Sequence, residues 1–243
     1  YLGLVHASGQ TLELKQAGSY DVKVLSDQLG TTTKSIVSKY ADFVISKMAP
    51  EEIEKNRKKY ASVTGSGERG LYDTDIHLYL PKTLALLNNR AIISWDFKDK
   101  NEIFLVIIKN IFGEEILVEE ASKTSFIINY ENDNIKNGSI NNIITIEVSL
   151  KSNASVISQE VAIRLINSVD EQEIRSRLTS LKSNLGKPSS LNNLILAEFY
   201  EENGFMLDAI TSYEEALLLS PDVEYFREVY DEFLIRNELK KPE

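Results

Sequence analysis

Acidic side chains are the residues of this sequence whose types and spacing could do chemistry. Asp73 and Asp75 stand on either side of a threonine, and the pairs Glu114–Glu115 and Glu119–Glu120 flank an apolar segment. Paired carboxylates can bind metals or act as general acid and base, but acid–base work requires two groups that converge in a cleft with separated pKa values. Adjacency in sequence does not supply that arrangement. We therefore expect turn residues at the aspartates and solvent-facing side chains at the glutamates.

Cysteine and histidine are scarce. The 243-residue sequence has no cysteine and two histidines, His6 and His77. Disulfides, thiolate metal sites and cysteine nucleophiles are therefore excluded, and most zinc and histidine-base chemistry is disfavoured. We predict a protein that is not an enzyme, with no catalytic residues, no bound metal and no cofactor.

A glycine-rich segment, residues 65–70, matches the Gly-x-Gly-x-x-Gly pattern of dinucleotide-binding proteins. That function requires a strand before the glycines and a helix after them, so that helix-terminal N–H groups meet the pyrophosphate. The residues that follow, 71–81, alternate like a strand. The pattern therefore indicates a linker between two units.

Charge is distributed unevenly along the chain. The net charge is −10, and residues 191–243 hold 13 acidic and 4 basic side chains, so nearly all of the excess lies in the last fifth. Binding to nucleic-acid phosphates requires the opposite sign, so we expect no nucleic-acid partner for this segment. A solvated acidic helical face is the expected structure.

Residues 190–223 carry the most specific pattern in the sequence. Small, aromatic and turn residues fall at fixed intervals within about 34 residues, the length of one tetratricopeptide repeat. The matching residues are Leu196, Ala197, Tyr200, Gly204, Ala209, Tyr213, Ala216 and Pro221. The segment resembles a tetratricopeptide (TPR) repeat, which implies two antiparallel helices that approach closely at the alanines and turn at the glycine. Asn193 stands where such repeats most often have tryptophan.

A single repeat cannot bury its own flanks, so neighbouring helices must cover it. Helical spacing predicts one helix that ends at Gly186, with Ser168 and Glu171 as its capping box, and another helix after Pro221. We therefore expect a C-terminal domain, residues 168–243, made of four helices in TPR-like hairpins.

The resemblance to TPR repeats also implies a partner site, because the first helix of such a repeat lines its concave groove. That helix offers Leu194, Glu198, Glu201 and Glu202. An acidic groove favours a basic or amide-rich segment of another protein.

The N-terminal residues alternate between apolar and polar side chains. They predict three short strands, around Leu2–His6, Leu12–Leu14 and Tyr20–Val24, in a meander that resembles the hairpins of FecR-like envelope domains. Residues 36–48 then have helical spacing, and a second helix is expected to follow. We predict an N-terminal domain, residues 1–62, made of a partial β meander plus two helices.

The period of two returns in residues 71–167, where roughly seven strands are separated by turn-rich segments. That pattern predicts an antiparallel β-sandwich. Asn137–Gly138 is expected to form a type I′ hairpin turn, because both central positions of that turn need positive φ. The segment resembles a fibronectin type III or immunoglobulin-like (Ig-like) module, with Trp95 where that fold has its core tryptophan.

Together these units predict a multidomain β plus α protein that binds other proteins. The resemblances imply a non-catalytic scaffold subunit of a bacterial cell-envelope assembly, in the periplasm or envelope, with the cytoplasm as the alternative. Two other interpretations stay open: the accessory modules of a larger secreted carbohydrate-active enzyme, or a FecR-like signalling regulator. The sequence begins at Tyr1 without a signal segment, and we expect it to be part of a longer chain. Its longest apolar run, Ile103–Ile108, has six residues, so no membrane-spanning segment is expected.

Overall fold

The computed structural model describes residues 1–6, 8–29, 36–47, 75–99, 101–167, 169 and 171–241. These residues form ten strands and seven helices, a mixed β plus α fold as predicted. The glycine-rich segment 65–70, the second N-terminal helix expected after Pro50, Asp73 and the N-cap expected at Ser168 lie outside the described residues. Among the helices that are described, none combines the length and the apolar character needed to cross a bilayer.

The N-terminal residues form an antiparallel hairpin of β1 (Leu2–Val5) and β2 (Thr11–Leu14). The third strand predicted around Tyr20–Val24 is wrong, because this segment starts a helix, α1 (Val22–Gln28). The Asp21 carboxylate accepts hydrogen bonds from two backbone N–H groups of the first turn, and this cap stabilises the helix start.

The helix predicted from the spacing of residues 36–48 is confirmed as α2 (Ile36–Lys47). Its buried side chains recur every three or four residues, as an amphipathic helix requires. They are Val37, Tyr40, Ala41 and Val44.

Two sheets occupy the middle of the chain. One contains β4 (Thr83–Leu86), β6 (Phe104–Lys109), β7 (Glu115–Ala121), β9 (Ile143–Leu150) and β10 (Val161–Leu165), in the order β4-β10-β9-β6-β7. The other contains β3 (His77–Leu78), β5 (Arg90–Asp96) and β8 (Ser125–Asn129), in the order β3-β5-β8.

The pairing of β4 with β10 is parallel, whereas the other pairs in the two sheets are antiparallel. The purely antiparallel arrangement predicted for residues 71–167 is therefore wrong at this pair. Short turns impose antiparallel pairing, but β4 and β10 are separated by five other strands of the two sheets, so no short turn constrains their direction.

The two sheets contact each other through aromatic side chains and a hydrogen bond. Trp95 of β5 is buried against Phe104 of β6, edge to face, with 5.3 Å between the ring centroids. The hydroxyl of Tyr130, which follows β8, donates to the carbonyl of Ile163 in β10 at 2.9 Å. Trp95 is therefore a core residue, as expected.

The connection between β8 and β9 differs from the prediction. Asn137–Gly138 ends a short helix, α3 (Asp133–Gly138), and does not form a hairpin turn. The positive φ angles, 54° and 58°, belong to Asn141–Asn142. Gly138 is required for space, because a Cβ atom there would lie 2.7 Å from Ile116.

Four helices follow within residues 171–241, as predicted. They are α4 (Gln172–Leu185), α5 (Ser190–Glu202), α6 (Met206–Leu219) and α7 (Glu224–Arg236). Helix α4 ends before Gly186, whose φ is 74°, and the Ser189 hydroxyl caps α5 by accepting a hydrogen bond from the backbone of Asn192.

Candidate interaction surface of the C-terminal helices

Small residues close the contact between α5 and α6. Ala197 of α5 and Ala209 and Ala216 of α6 are fully buried. Because their side chains are short, the two helices can pack closely. Gly204, in the turn between the helices, has a φ of 80°, which L side chains rarely adopt. Residues 190–219 therefore form a helical hairpin with small residues at the positions singled out from the sequence.

The two tyrosines of the hairpin are buried, and each also contacts an element outside it. The hydroxyl of Tyr200 accepts a hydrogen bond from the Asn88 side-chain amide at 2.9 Å. The ring of Tyr213 stacks on Tyr230 and contacts Phe233, both in α7, with centroid distances of 5.5 and 4.7 Å. Burial raises the pKa of both hairpin tyrosines, which keeps their hydroxyls protonated. Helix α7 thus covers one flank of the hairpin, as a single repeat requires.

Buried polar contacts attach α6 to the turn between β4 and β5. The carboxylate of Asp208, which is 1% exposed, accepts hydrogen bonds from the backbone N–H groups of Leu87 at 2.8 Å and Asn88 at 3.0 Å. The Asn88 side-chain amide donates a third at 2.5 Å. Burial raises the pKa of Asp208 to about 6, although these three hydrogen bonds favour the ionised form. Sequence analysis missed this residue, because an aspartate in a helical first turn is ordinarily a solvated partner of the helix dipole.

The N-terminal elements pack on α5. The hydroxyl of Thr11 in β2 donates to the side-chain oxygen of Asn192 at 2.6 Å, and Glu13 accepts from the backbone N–H of Leu191 at 2.8 Å. The ring of Tyr40 in α2 lies edge-on to Phe199, with 5.6 Å between the ring centroids. Helix α5 therefore has intramolecular neighbours on several sides.

The four partner-site residues predicted on α5 face different neighbours. Leu194 is 2% exposed, and Glu198 is half-buried. Glu201 accepts two hydrogen bonds from the Arg236 guanidinium of α7, at 3.0 and 2.5 Å. The carboxylate of Glu202 binds the ammonium of Lys39 in α2, and this hydrogen bond holds the pKa of Glu202 below its ordinary value.

Intramolecular cations therefore already bind Glu201, towards α7, and Glu202, towards α2, and Glu198 also has an interaction within the molecule. Partner binding at these residues stays a prediction, and a partner would have to compete with Lys39 for Glu202. The sequence gives no direct signal for this competition, since Lys39 and Glu202 are 163 positions apart.

A cavity of about 600 Å³ lies where the end of α4, the first half of α5, the end of α6 and the start of β5 meet. Leucines from three of these elements form its apolar part: Leu185, Leu196, Leu218 and Leu219. Its polar lining includes Lys182, Lys187, Asn193 and the ion pair of Arg90 with Glu215, whose atoms are 3.0 Å apart. Volumes between about 300 and 1,000 Å³ are usual for binding pockets.

Sequence analysis missed the cavity, because its lining combines three helices with Arg90, which lies 92 or more positions before the other lining residues. The sequence feature that could have indicated a binding site here is the pair of lysines, Lys182 and Lys187, just before the acidic C-terminal segment.

No protein-family model matches the sequence, and a comparison with curated proteins finds no match.

Proposed function

We propose that this chain is a non-catalytic protein-interaction or scaffold subunit of a bacterial cell-envelope assembly. The observation that carries the proposal is the α5–α6 hairpin, with its three buried alanines and the positive-φ Gly204. These features support a TPR-like unit, with α4 and α7 as its flanking helices in a domain of residues 168–243. Helical repeats of this kind offer surfaces to other proteins and have no catalytic chemistry of their own.

The central residues, 71–167, are proposed to be an Ig-like or fibronectin type III-like sandwich. The order β10-β9-β6-β7 corresponds to the G-F-C-C′ order of an immunoglobulin variable-type sheet, and β3-β5-β8 would be the opposing A-B-E sheet. The edge-to-face contact of Trp95 with Phe104 across the two sheets supports this assignment. Such modules commonly serve as rigid interaction or spacer domains.

The N-terminal unit, residues 1–62, is proposed to be related to FecR-like envelope domains through the β1–β2 hairpin. The contacts of Thr11 and Glu13 with α5 bring this unit against the helical domain. A scaffold that holds its own domains in fixed positions can present several surfaces to partners at once.

The partner site on α5 enters the proposal in a narrower form. Leu194 contributes packing, since it is buried, and Glu201 is held by Arg236. A basic or amide-rich partner segment would bind at Glu198 and Glu202 and displace Lys39, a surface ion pair of the kind that contributes at most about 1 kcal/mol.

The test is co-purification of the tagged full chain from its source cells after cross-linking. Replacing Glu198 and Glu202 with lysine should remove a partner that the natural sequence retains. The matched control replaces Asp222 and Glu228, two exposed acidic residues outside α5, with lysine and gives the same change in net charge. Glu201 is left in place, because its loss would leave Arg236 without its main partner.

Equal recovery of the partner from both variants would refute binding at Glu198 and Glu202. Recovery of no partner at all from the natural sequence would refute the interaction function. Fractionation of the same cells tests the envelope location, which predicts the chain outside the cytoplasmic fraction.

A further inference from the structure

The cavity between α4, α5 and α6 combines apolar walls with two lysines, Lys182 and Lys187. Neither Lys182 nor Lys187 forms an ion pair within the part of the chain that the structure describes. Burial lowers the pKa of Lys182, while the charges of Asp208 and Glu215 act in the opposite direction. Because both lysines are exposed, a carboxylate brought to the cavity can reach their ammonium groups.

The side-chain amide of Asn193 also lines the cavity. Asn193 is 6% exposed and lines the cavity, and its side chain makes no hydrogen bond to any described residue. The amide atoms of Asn193 keep some contact with solvent, so a ligand in the cavity can reach them. The amide can donate to a carboxylate or accept from a backbone N–H of a ligand.

The shape of the cavity is held by the neighbouring residue. Asn192 donates from its side-chain amide to the carbonyls of Leu185 at 2.8 Å and Lys187 at 2.7 Å, and its oxygen accepts from Thr11. These bonds pin the α4–α5 connection, so the cavity forms before a ligand arrives. A preformed site avoids the entropic penalty of ordering a loop on binding.

The apolar surface continues outward along the end of α6. Leu218 is 68% exposed and Leu219 is 41% exposed, and both line the cavity. A small free carboxylic acid would leave this rim uncovered, whereas a peptide segment can place a charged side chain inside and an aliphatic side chain against the rim.

Charge decides which segment fits. Three of the lining side chains are cationic and one, Glu215, is anionic, so the lining has a net charge of +2, although the charge of Asp208 also acts on Lys182. Charge complementarity with this lining therefore favours an acidic segment over a basic one.

We infer that this cavity binds an acidic peptide segment of a partner protein, whose Asp or Glu side chain contacts Lys182 and Asn193 while a neighbouring aliphatic side chain packs against Leu196 and Leu218. The inference rests on the proposed interaction function. It adds a second partner surface whose preferred charge is opposite to that of the surface at Glu198 and Glu202.

The test is panning of a random heptapeptide phage library against the purified full chain. Enriched peptides should combine Asp or Glu with Leu, Ile or Val at nearby positions. Labelled peptides from the enriched set are then titrated by fluorescence anisotropy against two cavity variants, the double variant Lys182→Glu with Lys187→Glu and the single variant Leu218→Asp.

Two matched controls separate the cavity from general charge and surface effects. Lys98→Glu with Lys123→Glu changes the net charge equally at exposed lysines near the strands, and Phe112→Asp replaces an exposed apolar side chain in the turn between β6 and β7. The cavity variants should weaken binding at least about tenfold, and the controls less than about twofold. Raising the salt concentration should weaken binding to the natural chain. The replaced cavity side chains are exposed, so urea unfolding should show that all variants fold.

Enriched acidic peptides that bind the cavity variants as well as the natural chain would overturn the inference. Enrichment of basic peptides whose binding is abolished by Glu202→Lys would also overturn the inference. That result would be consistent with the proposed interaction function. If no peptide is enriched but a cellular partner co-purifies, the cavity inference is overturned and the interaction function is retained. If no peptide is enriched and no partner co-purifies, both proposals fall.

Discussion

Asp208 gives the folding stability a pH dependence that an asparagine at this position should remove. Burial raises the pKa of Asp208 from 3.8 to about 6, against the opposing effect of its three N–H donors. A group whose folded-state pKa is raised contributes stability that is fully present below its unfolded pKa and is lost as the pH rises through the folded pKa. The contribution of Asp208 to the free energy of unfolding should therefore fall between about pH 4 and pH 7.

The magnitude follows from the size of the pKa shift. A shift of about 2 units corresponds to roughly 3 kcal/mol over the whole range, and roughly 1 kcal/mol of it falls between about pH 5 and pH 7. Asp208→Asn also places an N–H₂ group against a backbone donor, because Leu87 and Asn88 both donate to the carboxylate. We expect the variant to be less stable than the natural chain by about 1–3 kcal/mol where Asp208 is protonated.

The assay is urea unfolding of the natural chain and Asp208→Asn at several pH values between about 5 and 7.5. The difference between the two curves cancels the titration of all other groups, and the stability advantage of the natural chain should shrink as the pH rises. Asp222→Asn, at an exposed aspartate, is the control and should show a nearly constant difference. An advantage of the natural chain that grows with pH would refute the reasoning, because the three donors would then hold the carboxyl group ionised.

Three further substitutions test single contacts by urea unfolding. Gly204→Ala should lower the free energy of unfolding by about 1 kcal/mol through backbone strain alone, since φ is 80° and the new Cβ meets nothing within 4 Å. Gly204→Asn should lower the free energy of unfolding less, because asparagine tolerates positive φ better than alanine. An unchanged stability of Gly204→Ala would contradict the φ argument. Gly138→Ala should be destabilising by about 1–3 kcal/mol, because the new Cβ clashes with Ile116. In the double variant with Ile116→Ala, part of this loss should disappear. Additive effects of the two substitutions would contradict the clash. Arg236→Met should be destabilising by about 1–3 kcal/mol, because the largely buried Glu201 carboxylate loses its cation and keeps only the hydrogen bond from the Asn237 amide. Adding Glu201→Gln should recover part of the loss, and no recovery would contradict this explanation.

The elements with long helical spacing were predictable from the sequence. Helix α2 and the four C-terminal helices formed where apolar residues recur every three or four positions, because this spacing places them on one face over several turns. The turn at Gly204 was predictable for a similar reason, since the requirement for positive φ is local. Fold class followed from these local signals.

Shorter signals failed where two structures were compatible with them. The alternation at Tyr20–Val24 spans less than two helical turns, and the Asp21 side chain decided for a helix by capping α1. Asn137–Gly138 matched a hairpin turn, but the glycine serves close packing against Ile116, and the positive-φ turn lies at Asn141–Asn142. A glycine looks the same in sequence whether conformation or space requires it.

By itself, the sequence determined the helical hairpin of residues 190–219, since spacing, small residues and a turn glycine act within a few positions of one another. Only the tertiary structure decided which charged groups are bound within the molecule and which are left to bind something else. Glu201 meets Arg236 across 35 positions, Glu202 meets Lys39 across 163, and Lys182 forms no ion pair with a described residue, although the charges of Asp208 and Glu215 act on it. The physical reason is that the free energy of a charge depends on its hydration and on its neighbours within a few ångströms, and folding brings both from distant parts of the chain.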